Sequence, residues 1–92
     1  MLFILRWKLP PEHRDEAIRR FLETGGKPPE GVTLVGRWFA VAQNAGVAIL
    51  ETNDPALIQE MSLQWTDLMH MEVSPALTDD QMGPLMAAAL GR

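Results

Sequence analysis

Residues 32–52, VTLVGRWFAVAQNAGVAILET, read as two β-strands and the turn that joins them. β-Branched and aromatic side chains crowd VTLVGRWFAV (32–41) and GVAILET (46–52), and Gln43-Asn44-Ala45-Gly46 supplies the polar and small residues of a hairpin loop. The informative feature is that both runs are apolar at nearly every position. A strand with one face in water alternates apolar and polar residues, whereas a strand apolar on both sides is covered on both sides.

Towards the N-terminus, LFILRWK (2–8) is a further strand, ended by Pro10-Pro11. Pro11 suits a first helical position, and Glu12, Asp15 and Glu16 suit the positive end of a helix. Ala17, Ile18, Phe21 and Leu22 then recur at helical spacing until Gly25-Gly26 ends the run. Asp15 with Arg19 and Glu16 with Arg20 are four-apart pairs on the solvated side of that helix. KPPEG (27–31) is a turn.

On the C-terminal side, Asp54-Pro55 is an N-cap followed by a proline at the first helical position. Leu57, Met61, Trp65 and Leu68 form the buried stripe of a second helix, with Ile58 beside it. A last strand is expected over about 69–74, closed by Pro75. Thr78-Asp79-Asp80-Gln81 matches a capping box, but Gly83-Pro84 should break the helix it starts. A turn and then a short helix from Met86 to Leu90 are expected instead.

The order is therefore β-α-β-β-α-β with a C-terminal appendix. The predicted class is α+β: a ferredoxin-like, four-stranded antiparallel sheet with both helices on one face. Ninety-two residues make one domain over 1–92, with a core over 1–76 and an appendix over 77–92.

The net charge of −4 and the lack of any strongly basic segment argue against nucleic acid or an anionic membrane as a partner. RNA-binding domains share this strand order but stack bases on aromatic residues of the central strands, and GVAILET has none. The absence of cysteine excludes disulfides, thiolate nucleophiles and thiolate metal sites. Arg6 interrupts the apolar start MLFILRWKL too early for a signal segment or a membrane span, so a cytoplasmic protein is expected.

Sorting each strand by its period of two gives two faces. Phe3, Leu5, Trp7, Leu34, Trp38, Ala48, Leu50, Met69, Met71 and Val73 carry no charge and are assigned to the helix side. Leu2, Ile4, Arg6, Val35, Arg37, Phe39, Val47, Ile49, Glu51, His70 and Glu72 make up the other face. That face is too apolar to be left to water, and two helices cannot cover both sides. A second copy packed sheet against sheet would close a barrel, so a homodimer is expected.

The stretches MLFI-x-x-W, RFLETGG-x-PPEGV-x-L-x-GRW, E-T-x-D-P, W-x-DL and EV-x-P-x-L resemble a small bacterial family of unknown function, the DUF3303 type. The resemblance spans roughly residues 1–78 and places the chain in the dimeric α/β-barrel superfamily. It implies the fold and the dimer. That superfamily includes cofactor-free oxygenases, haem-degrading enzymes, lactone isomerases and effector-binding domains. Phe39 stands where the pattern has a histidine and His70 where it has an acidic residue, so no site residue is carried over.

The candidate site is the polar cluster on the second face: Arg6, Arg37, Glu51, His70 and Glu72. The expected strand order 4-1-3-2 sets Arg6 between His70/Glu72 and Glu51, with Arg37 beyond Glu51. The arginines could hold an anionic or aromatic small molecule, with His70 as candidate acid or base. The alternative is an ion-pair network that fixes dimer register in a non-catalytic interface. No metal-ligand spacing and no phosphate loop is present, and no cofactor is expected.

Overall fold

In the computed structural model, which describes residues 1–91, the chain runs β1 (Leu2–Lys8), α1 (Arg14–Thr24), β2 (Thr33–Phe39), β3 (Ala45–Glu51), α2 (Pro55–Leu63), β4 (His70–Ala76) and α3 (Asp79–Leu90). The four strands form one antiparallel sheet in the order β2-β3-β1-β4, the ferredoxin-like arrangement. Pro11–His13 make a single 3₁₀ turn ahead of α1, and Gly25 ends α1 in the left-handed conformation at φ 72°. Asp54 caps α2 by accepting a hydrogen bond from the Ala56 amide.

The core lies on one face of the sheet. Phe3, Leu5, Trp7, Ala48 and Leu50 from the central strands are buried there against Ala17 of α1, Ile58 and Met61 of α2, and Leu68 and Met69 beyond it. α2 stops at Leu63, sooner than its sequence stripe suggests. A series of turns over 64–69 then carries Leu68 and Met69 into the core. Trp7 lies so close over its cross-strand partner Gly46 that a Cβ there would fall 2.0 Å from the indole. Only glycine admits this approach.

β2 departs from the simple alternation. Leu34 pairs with Leu50, but the next pair is Gly36 with Ile49, which leaves Val35 as the extra residue of a β-bulge. A one-residue shift moves every later side chain to the opposite face. Arg37 and Phe39, expected on the open face, therefore align with Ala48 and Gly46 and lie on the helix side. Trp38, expected in the core, aligns with Val47 and is 58% exposed on the open face.

Two further boundaries differ from the sequence reading. β4 runs through Pro75 to Ala76, because an edge strand tolerates a residue without an amide hydrogen. α3 is one continuous helix across Gly83-Pro84. Glycine before the proline removes the Cβ that would meet the pyrrolidine ring, and the carbonyl left without a donor lies in an exposed turn.

Replacing Gly46 by Ala should lower stability by about 1–3 kcal/mol through overpacking against Trp7. The double variant Gly46→Ala with Trp7→Leu should lose less than the sum of the two single changes. Urea titrations of the four chains check this, and strict additivity would show that the close approach carries no strain.

Candidate functional site

Between the sheet and the helices lies a cavity of about 320 Å³. Leu5, Trp7, Ala48 and Met71 form its floor, and Ala17, Ile18, Phe21 and Leu22 of α1 form its roof. Met61, Trp65 and Met69 close one side. Leu22 is 77% exposed and Phe39 44%, so the cavity opens to solvent along that rim.

The wall is aromatic and methionine-rich. Phe39 meets Trp7 edge to face at 5.5 Å between ring centroids and Phe21 likewise at 5.6 Å. Its polar groups are few: Arg37, Gln43 and the backbone at Gly26. Because of the bulge, Arg37 reaches across from β2 to the end of α1. There it donates hydrogen bonds from Nη1 to the Gly26 carbonyl at 2.8 Å and from Nη2 to the Gly25 carbonyl at 3.4 Å. Its guanidinium stacks over Phe21, 4.8 Å from the ring centroid. Burial pushes the Arg37 pKa below its usual value, yet a guanidinium remains a cation at neutral pH. These bonds use two of its five N–H groups and leave the rest for an acceptor.

A second arginine holds the roof. Arg20 of α1 donates to both carboxylate oxygens of Asp67, at 2.8 and 3.0 Å, and to the Gln64 carbonyl at 2.6 Å. It also lies 5.8 Å from the centroid of Trp65, a cavity wall. The hydrogen bond from Arg20 holds the Asp67 carboxyl below its ordinary value, and the same bond raises the arginine.

Of the five residues expected to share a site, three come together. Arg6 sits directly across from Glu72, and His70 Nε2 is 3.5 Å from Glu72 Oε1. With Lys8 they border a separate hollow of about 220 Å³ on the open face. Both His70 and Glu72 side chains are 69% exposed in the single chain. Glu51 pairs with Leu2, four residues along the strand from Arg6 and so about 13 Å away. Arg37 is on the opposite face altogether, where the bulge puts it. The sequence reading missed the helix-side cavity, and the one signal for it was Gly36, a lone glycine inside a strand pattern.

The chain matches the family model described as "Domain of unknown function (DUF3303)" over residues 1–90. No curated protein matches it. Among the solved structures similar to this chain are two at low identity. One is a protein from Deinococcus radiodurans provisionally named as an antibiotic biosynthesis monooxygenase, at 8% identity and a TM-score of 0.49, covering 85% of this chain and 94% of that one. The other is Rv0793 from Mycobacterium tuberculosis, at 12% identity and a TM-score of 0.49, covering 84% and 95%. Among the described residues, no helix is long and apolar enough to cross a membrane.

The Arg20–Asp67 latch makes stability depend on pH with a defined sign. A carboxyl whose folded pKa is depressed contributes fully above its ordinary value of 3.8 and loses that contribution as pH falls through the lower folded value. Asp67→Asn should therefore melt below the parent chain at neutral pH, with the difference vanishing in strong acid. Thermal melts of both chains across the acid range check this, and a pH-independent difference would remove the charge from the account.

Proposed function

The chain belongs to the DUF3303 family of unknown function, and from that premise we propose that it binds a small, flat, largely apolar molecule in the cavity between sheet and helices. The observation that carries this reading is that, among the described residues, one cation, Arg37, is set in a wall made mostly of aromatic, aliphatic and methionine side chains. About 320 Å³ lies at the lower end of the range for small-molecule sites. Methionine and aromatic side chains adapt to flat ligands, while the free N–H groups of Arg37 select one carboxylate, sulfonate or carbonyl oxygen.

Among the described residues, the wall offers no carboxylate, imidazole, thiol or hydroxyl. Any reaction in the cavity would draw its reactive group from the bound molecule, with the protein supplying orientation and a fixed positive charge. The ligand reading expected for Arg6, Glu51, His70 and Glu72 thus gives way to Arg37 together with Phe21, Phe39, Trp7 and Trp65.

The same proposal includes a homodimer through the open sheet face. Trp38 and Val35 are each 58% exposed there, flanked by Leu2, Ile4, Val47 and Ile49. In that setting Arg6, Lys8, His70 and Glu72 form the polar margin of an interface and fix its register. A chain without cysteine fits a reducing compartment, and a cytoplasmic setting belongs to this reading.

Two dyes separate the contributions to binding: anilinonaphthalene sulfonate, an apolar anion, and phenylnaphthylamine, its neutral relative. Arg37→Met should weaken the sulfonate by about 10- to 100-fold, the loss of a charge-assisted hydrogen bond, and weaken the neutral dye far less, through the loosened roof alone. Ala17→Leu, which fills the cavity from α1, should weaken both without lowering stability. Fluorescence titration reads both, and dyes that bind all three chains alike lie elsewhere on the molecule.

A further inference from the structure

α3 stands apart from the rest of the chain. None of its residues is buried, and the molecule measures 52 Å along its longest axis against 28 and 18 Å across the others. Yet the helix is strongly specified. Thr78 and Gln81 form a reciprocal capping box, and Leu77 and Met82 occupy the two positions of a hydrophobic staple around it. Three alanines strengthen the last turns.

Beyond Gln81 the helix carries no charged or polar side chain. Met82, Leu85, Met86, Ala89 and Leu90 recur at the spacing of a single apolar stripe, and Leu85, Met86 and Leu90 are 57%, 53% and 89% exposed. An isolated helix of this length is marginal in water, so a stripe of this kind implies a surface that receives it.

We propose that α3 is an arm that packs on a second copy of this chain, with the two arms exchanged about a two-fold axis. The inference rests on the dimer proposed above and adds to it. The size of the interface argues for a copy as occupant. Four strands about 4.8 Å apart and seven residues long at about 3.4 Å each give the open face a footprint of about 450 Å². A standard stable interface takes about 800 Å² from each partner. A helix of α3's length, about 10 Å across, covers about 180 Å² as donor, and the protomer covers as much again in receiving its partner's arm. Sheet and arms together reach the standard size, and exchange about a two-fold axis closes the assembly with no stripe left in water.

Sedimentation equilibrium over a dilution series tests this with three chains. Leu85→Glu with Met86→Glu places charge in the stripe, and Ala87→Glu with Ala88→Glu places it on the opposite side of the helix. The stripe variant should raise the dimer dissociation constant about a hundredfold or more, and the control should leave it near the parent value. A chain ending at Thr78 should behave as the stripe variant does, and circular dichroism should show the remaining fold intact in all of them. A stripe variant that associates as tightly as the parent overturns the arm and leaves the sheet-face dimer standing. A stripe variant that dimerises normally but melts lower at concentrations where it is monomeric places α3 on its own body, which also overturns the exchange. A parent chain that stays monomeric throughout removes the dimer itself, and with it this inference, while the dye titrations above remain an independent measure of the cavity.

Discussion

The single extra residue at Val35 governs which chemistry each side of the sheet receives. With an unbroken β2, Arg37 and Phe39 would face outward and Trp38 would enter the core. The bulge exchanges them. It aims the guanidinium at the carbonyls that end α1, brings Phe39 edge-on to Trp7 and Phe21, and leaves an indole on the open face. Among the described residues, the cavity's one cation and the open face's largest side chain are thus set by one backbone irregularity in an edge strand, where bulges are most common.

The order of elements and the strand order were legible in the sequence because they depend on local signals. Prolines and glycines mark the ends of the runs, the N-caps at Asp54 and Thr78 are unambiguous, and periodicity separates helix from strand. The faces of β1, β3 and β4 followed from the same period of two. The site did not, because alternation is a count along the chain and a bulge adds one to the count. Gly36 was the visible sign. The proline inside α3 misled in the opposite direction: Gly83-Pro84 reads as a break, but an exposed helix turn needs no donor at that position.

The charged residues on the open face show how far spacing alone can reach. His70 and Glu72 do share a face and do meet, and Arg6 does stand opposite Glu72. Their common face, however, is the open side of the sheet, and in the single chain the His70 and Glu72 side chains remain largely hydrated. A polar row of this kind contributes little energy by itself. In the proposed dimer such a row would act by excluding misaligned packings, since a shifted neighbour would set like charges together.

α1 has a different consequence, a kinetic one. Only Ala17 of this helix is buried, and a void lies beneath its middle. Beside the packing of Phe21 on Phe39, what holds it down is polar: Arg20 on Asp67 and Gln64 at one side, and Arg37 on the carbonyls at its C-terminal end. Apolar packing resists salt, but exposed charge-assisted contacts loosen as ionic strength rises. Held this way, the roof is expected to open locally at high salt while the sheet stays closed. A molecule in the cavity, already open along the rim at Leu22 and Phe39, would exchange faster the more often α1 lifts. Salt would shorten its residence time without altering the shape of the pocket it leaves.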